Sequence, residues 1–369
     1  MSQTKSQNLL LITLFLFSLF TPSICHNTIT QNNESKIRGM FVFGSSLVDN
    51  GNNNFLSNSM ARADYSPYGI DFPLGISGRY TNGRNVIDLL GQKLNLPNFI
   101  PPFNDPSTNG MKIINGVNFA SGGSGILDDT GAVVGKVTSL NEQIRNFEEV
   151  TLPDLDLQLS RETVSSQFLF VVGSGGNDYS LNYFLGFANN NNNNITLQAF
   201  TSNLITSLSN QLKRLYNLGA RKFVLMSINP NGCSPSATAR LPTGSGCVQR
   251  LNQAAQLFNL NLKNLVDDIQ PKLPGSNLVF VNSYNVMIDI IRFPSFRGFR
   301  DVSSSCCEVG GTGILCRRGG SICENRSSYV YFDGLHPTEA VNIVIACKAF
   351  ESIQTSEVYP FNVKRLSEI

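Results

Sequence analysis

Met40-Phe41-Val42-Phe43-Gly44-Ser45-Ser46-Leu47-Val48-Asp49-Asn50-Gly51-Asn52 reads as a buried strand that stops at a glycine and opens into a polar loop. Four more apolar runs repeat that beginning, at Gly116–Ala120, Phe168–Val172, Phe223–Ser227 and Leu278–Val281. Helical patterns separate the later ones. Phe200–Leu218 places Leu204, Leu208, Leu212 and Leu215 at helical spacing, with Gly219 standing where a helix-ending glycine belongs. Cys247–Ile269 repeats the pattern through Ala254, Ala255, Phe258, Leu262 and Leu265. Strands separated by helices predict βαβ units and a parallel sheet covered on both faces. Thr338–Phe350 reads as a last helix, with Pro337 suited to its first turn and Glu339 to the positive end of its dipole.

In such a sheet, ligands bind beyond the carboxyl ends of the strands. Ser46 follows the first run, Ser121-Gly122-Gly123 the second and Gly175-Gly176-Asn177-Asp178 the third, so residues distant in the chain share one rim. Each block alone has a plainer reading: a polar turn at Ser45-Ser46, or a helix cap at Asn177-Asp178. Neither glycine pair completes a dinucleotide or phosphate-loop pattern, which disfavours nucleotides. The chain also lacks the Gly-x-Ser-x-Gly elbow of the ordinary α/β-hydrolases.

The chain has 369 residues and a formal charge of +2, a balance that gives no reason to expect a nucleic-acid partner. Residues 1–25 read as a secretory signal: Lys5, an apolar Leu9–Phe20, then small residues in Ser23-Ile24-Cys25 for cleavage before His26. That stretch is too short to span a bilayer comfortably, so no stable membrane insertion is expected. A short segment, 26–37, then precedes one large domain over 38–369, and the product is expected to be secreted. Asn33, Asn194 and Asn325 sit in glycosylation triplets, the second ending the polyasparagine run Asn189–Asn194.

An oxidising compartment makes loop staples of the cysteines. Cys233 and Cys247 bracket one loop and are expected to pair. Cys306, Cys307, Cys316 and Cys323 form two bridges among themselves, with three pairings open. Cys347 falls in an apolar helical pattern and is expected as a reduced, buried thiol. The clusters lack histidine and paired short spacings, so no metal is expected.

Two histidines are present, and His26 lies at the edge of the targeting segment. His336, in Asp333-Gly334-Leu335-His336-Pro337-Thr338-Glu339, is therefore the imidazole available for acid–base work near neutral pH. Asp333 stands three residues earlier, a spacing that on a helical turn puts both side chains on one face.

Serine after strand one, glycine after strand two, asparagine after strand three and a late Asp-x-x-His, in that order, resemble the plant GDSL esterase/lipase branch of the SGNH hydrolases. The resemblance runs from about Arg38 onward. Phe43-Gly44-Ser45-Ser46-Leu47 is similar to a first block that usually reads Phe-Gly-Asp-Ser-Leu, with Ser45 in the aspartate's place. Arg79-Tyr80-Thr81-Asn82-Gly83-Arg84 is also family-like, without an inferred role.

The resemblance implies an α/β fold, a three-layer α/β/α sandwich with a central parallel sheet, flavodoxin-like. It implies a Ser46–His336–Asp333 triad acting on carboxylic (acyl or lipid) esters without a cofactor. The Ser46 amide, the Gly123 amide (or its neighbour Gly122) and the Asn177 side chain would hold the oxyanion. The partner implied is a small acyl ester or lipid. Acyl transfer through the same acyl-enzyme is an alternative, as is a non-catalytic lipid-binding descendant, given Ser45.

Overall fold

Two kinds of side chain alternate along the strands, and the alternation builds the layers. A computed structural model describes residues 36–185, 195–241 and 246–369. Within them, β1 (Gly39–Gly44), β2 (Phe168–Gly173), β3 (Lys222–Met226) and β4 (Asn277–Val281) are adjacent in that order and parallel. The covering helices include α1 (Val86–Lys93), α2 (Leu140–Asn146), α3 (Leu197–Asn217), α4 (Gln249–Ile269), α5 (Ser283–Arg292) and α6 (Glu339–Glu351).

Successive strand residues point to opposite faces. Phe41, Phe43, Phe168, Phe170, Phe223 and Phe280 enter one core with the apolar stripes of α2, α3 and α4. Met40, Val42, Leu169, Val171, Val224 and Val279 enter another with α1, α5 and α6. One face is rich in phenylalanine and the other in valine. Each such side chain, fully buried, contributes roughly 1.5–3 kcal/mol of transfer free energy. The result is a three-layer α/β/α sandwich, with Ser35–Ile369 forming one compact unit.

The helix expectations hold with small shifts at the ends, except that α6 is not the last helix: a short one, Val363–Glu368, follows it. Thr196 caps α3 through Ala199 N, and the helix stops before Gly219, whose φ is 109°. Pro337 is not in the first turn of α6: Thr338 is the N-cap, and Glu339 opens the helix. An edge strand unforeseen in the sequence, β7 (Val358–Tyr359), runs antiparallel beside β4. It is too short to show a period. A small second sheet pairs β5 (Asp301–Ser305) with β6 (Tyr329–Tyr331).

Gly116–Ala120 is not a regular strand. It follows β1, donating from Phe119 N to Val42 O and accepting from Val42 N at Val117 O, yet only Asn118 forms bridges. The Asn118 carbonyl takes bonds from Phe103 N and the Asn52 side chain, so its outer edge belongs to loops rather than to a strand.

Three disulfides staple the loops at the functional rim: Cys233–Cys247, Cys306–Cys323 and Cys307–Cys316. They realise the expected sets and choose among the open pairings. Cys347 corrects an expectation. It is buried on α6 as its pattern requires, but it is disulfide-bonded. Burial cannot separate the two states, because a thiol and a disulfide sulfur are both apolar.

Of the glycosylation triplets, Asn325 lies exposed on the surface, while Asn33 and Asn194 are outside the described residues. The 1–25 segment and His26 lie outside them as well. Among the described residues no helix is long and apolar enough to cross a membrane, and no histidine, cysteine or acidic cluster suits a metal ion.

Candidate active site

The turn after β1 delivers Ser46 to the sheet's carboxyl edge. Ser45 N donates to Gly173 O and Ser45 O accepts from Val48 N, so the turn is fastened through its backbone. The side chain at position 45 is not needed for that fastening. Ser45 is buried and Ser46 partly exposed.

The loop beyond is braced by its own polar side chains. Asp49 accepts from the amides of Gly51, Asn52 and Gly122 at 2.7, 2.8 and 2.9 Å. Asn52 donates to the carbonyls of Asn118 and Ala120, and Asn53 to those of Ala61 and Gly122. An Asp-Asn-Gly-Asn-Asn run thus stitches the first block to the second, supplying partners that a buried loop otherwise lacks. Burial pushes the Asp49 carboxyl from the usual 3.8 up to about 6, against the pull of those three amides.

His336 arrives from the other end of the chain. Its Nε2 stands 2.8 Å from Ser46 Oγ, and its Nδ1 stands 2.8 Å from Asp333 Oδ2 and 3.0 Å from Oδ1. The imidazole and the carboxylate are both buried. Residues 333–336 form a bend rather than the helical turn expected from their spacing. The carboxylate reaches the ring because Asp333 Oδ1 also accepts from Leu335 N and His336 N, folding the segment back on its own side chain.

Tyr68 and Tyr80 hold this arrangement from behind, and neither role was foreseen. Tyr68 Oη donates to Asp333 Oδ2 at 2.6 Å and accepts from Cys316 N at 3.0 Å, linking the acid to the Cys307–Cys316 loop. Burial, then the neighbouring Asp333, raises its phenol well above the ordinary value, so it stays a donor. The Tyr80 ring lies 4.9 Å from the imidazole, centroid to centroid.

The rest of the Arg79–Arg84 segment clamps the same region. Thr81 Oγ1 donates to Pro337 O, Asn82 Oδ1 accepts from Glu339 N, and Arg84 pairs with Glu339. Arg79 grips Asp88 with two bonds, at 2.7 and 2.8 Å, beneath the protein surface. The resemblance singled this segment out. Tyr68 carried no such signal.

The two glycines separate in the structure. Gly122 N is taken by Asp49, whereas Gly123, at φ 85° and partly exposed, has no intramolecular acceptor for its amide among the described residues. Gly123 does not itself line the cleft at Ser46. Asn177 does, with one amide hydrogen on Ser124 O at 2.9 Å. Its neighbour Asp178 turns away and accepts from Ile126 N, Leu127 N and Thr130 Oγ1. Neither side chain caps the helical turn that follows.

A hydroxyl, an imidazole and a buried carboxylate in hydrogen-bonded series can draw a proton from the hydroxyl while the imidazolium is stabilised behind. Such a series at the carboxyl edge of an α/β sandwich suits nucleophilic acyl chemistry. A family model described as GDSL-like lipase/acylhydrolase matches residues 40–348, and the chain belongs to that family. Three Arabidopsis thaliana proteins, each named GDSL esterase/lipase, are similar to it. One is 39% identical over 342 residues, covering 91% of this chain and 93% of its own. The second is 38% identical with the same coverages, and the third is 39% identical over 90% of this chain and 92% of its own.

Proposed function

We propose that the protein is a secreted serine esterase in which Ser46 attacks the ester carbonyl. The observation that carries this reading is the unbroken series Ser46 Oγ, His336 Nε2, His336 Nδ1 and Asp333, joined by contacts of 2.8 Å. His336 takes the Ser46 proton as the bond from Oγ to the carbonyl carbon forms. It returns that proton to the leaving alkoxide as the ester C–O bond breaks. Water then repeats the sequence on the acyl-enzyme, releasing the acid and restoring Ser46. Asp333 fixes the tautomer with the proton on Nδ1 and stabilises the imidazolium.

The oxyanion is held by the amides of Ser46 and Gly123 and the remaining hydrogen of Asn177 Nδ2. Support for Gly123 over Gly122 comes from the Asp49 carboxylate already occupying Gly122 N. Donors of this kind are each worth roughly 3–4 kcal/mol in the transition state. Disulfides at the loops and an exposed Asn325 suit an extracellular protein consisting of one domain over 38–369.

The test is hydrolysis of a soluble carboxylic ester by the wild type, Ser46→Ala, His336→Ala and Asp333→Asn, each checked for folding by circular dichroism. Full activity is expected only in the wild type, with a small fraction left in Asp333→Asn. Near-wild-type turnover by folded His336→Ala would refute the mechanism, because no other histidine lies in the body of the chain.

A further inference from the structure

Beyond β3, the floor of the cleft is built on a chain of hydrogen bonds. Ser227 Oγ accepts from Tyr284 N near the start of α5 at 3.1 Å, so its own proton points on to Ser283 Oγ, 3.0 Å away. Ser283 in turn donates to Asn229 Oδ1 at 2.7 Å. Every member is buried, and the amide at the head of the chain can only donate, which sets the direction of each bond. The chain therefore ends on a carbonyl oxygen, and the Asn229 carboxamide is held with its Nδ2 on the other side.

That NH2 group is unused. Asn229 is 6% exposed, yet among the described residues its Nδ2 has no hydrogen-bond acceptor, and it stays open to the cleft shared by Ser46, Asn177 and His336. Solvent in an open cleft satisfies such a donor. An apolar group that displaces the solvent leaves it unpaired, whereas an oxygen on the incoming molecule replaces the lost bond.

The mechanism decides which part of the ester reaches it. His336 protonates the leaving alkoxide, so the alcohol lies against the imidazole. Ser46 follows β1, Asn177 follows β2 and Asn229 follows β3, which puts Asn229 two strand spacings, about 10 Å, from the nucleophile and past the oxyanion donor. The acyl group runs that way.

We propose that the cleft prefers esters whose acyl chain carries an acceptor oxygen (an ether, hydroxyl or ketone) a few atoms from the carbonyl, and that Asn229 is the specificity-determining residue that donates to it. The inference rests on the esterase reading of Ser46 and names the substrate class of that same site. An all-carbon chain fits the same space but strips Nδ2 of its partner. A site with a polar group to satisfy rejects the analogue that lacks the matching atom.

The experiment walks one oxygen along the acyl chain. It measures kcat/KM for the 4-nitrophenyl esters of methoxyacetic, 3-methoxypropanoic and 4-methoxybutanoic acids. Their partners are the butanoic, pentanoic and hexanoic esters, in which a methylene takes the oxygen's place. Each ether-to-alkyl ratio is divided by the same ratio for hydroxide hydrolysis, which removes intrinsic reactivity. The proteins are wild type, Asn229→Asp and Asn229→Ala. Asn229→Asp keeps an acceptor for Ser283 and turns the donor into a second acceptor. In Asn229→Ala, Ser283 retains Ser227 O at 3.3 Å. Wild type should favour the ether at one of the positions by about tenfold, the scale of one neutral hydrogen bond. Asn229→Ala should bring that ratio to about one, and Asn229→Asp should bring it below one.

Ratios of about one at every position in the wild type would overturn the inference while leaving ester hydrolysis standing. An ether preference that survives in the folded variants would overturn the assignment of Asn229. Absence of turnover on every ester by folded wild type would instead fell the esterase reading, and this inference with it.

Discussion

Replacing Tyr68 by phenylalanine removes one oxygen atom from behind the proposed triad, and with it two hydrogen bonds. The first is the 2.6 Å bond to Asp333 Oδ2, and the second is the 3.0 Å bond from Cys316 N. A bond to a charged group contributes about 1.5–3 kcal/mol, and a buried amide left without a partner costs about 1–3 kcal/mol. Unfolding free energy is therefore expected to drop by about 2.5–6 kcal/mol. Asp333 keeps its bonds from Leu335 N, His336 N and the imidazole, so it stays in place. The loss in kcat/KM should accordingly be about tenfold, far short of the roughly 10⁴-fold seen when a triad acid is replaced.

A purely structural role would stop at the loss of stability. Losing a donor to Asp333 also loosens the carboxylate that orients the imidazole, so the fall in turnover should lie in kcat with KM little changed. The assay is kcat and KM for a soluble ester, beside urea unfolding, for wild type and Tyr68→Phe. An unchanged kcat, or a fall carried by KM alone, would refute the reasoning, even if stability falls.

Asp49→Asn should change how stability depends on pH. The Asp49 carboxyl is raised from 3.8 to about 6, so its contribution is fully present below about pH 4 and is lost as pH climbs through 6. Urea midpoints should show the wild type's advantage over Asp49→Asn shrinking by on the order of 3 kcal/mol across that window, and an advantage that grows instead contradicts the assignment. Arg79→Met leaves Asp88 as an unpaired buried charge, and thermal unfolding should report a loss of about 3–5 kcal/mol. Gly122→Ala would put a Cβ 2.1 Å from Tyr80 Oη, in contact with the ring that packs on His336. A loss of about 1–3 kcal/mol in stability is expected, together with a fall in kcat larger than any rise in KM.

Much of the fold was legible because its signals are simple. β1 and β2 are buried on both faces and so read as short continuous apolar runs, and α3 and α4 are long enough to show a helical period. What escaped has no period to show: the short antiparallel β7, the small β5–β6 sheet, and the 115–121 segment that tracks β1 without becoming a strand. At the site, Ser46, Asp333, His336 and Asn177 drew notice because each lies just beyond a strand or sits in a dense motif. Asp333 faces His336 through a bend rather than the helical turn that their spacing suggested. Tyr68 was invisible as a support because Asp333 lies 265 residues away along the chain, and the tie from Asp49 to the second block because Gly122 lies 73 away. Cys347 shows the same limit, since its helical pattern fixed its burial but not its oxidation state.

The central claim is that Ser46, not its neighbour Ser45, is the nucleophile that His336 activates. The most direct measurement is peptide mapping after reaction with a fluorophosphonate, applied to wild type, Ser45→Ala, Ser46→Ala and His336→Ala. The account predicts one adduct, on Ser46, in wild type and Ser45→Ala, with none in Ser46→Ala and little in His336→Ala. An adduct on Ser45, or equally fast labelling of His336→Ala, would contradict it.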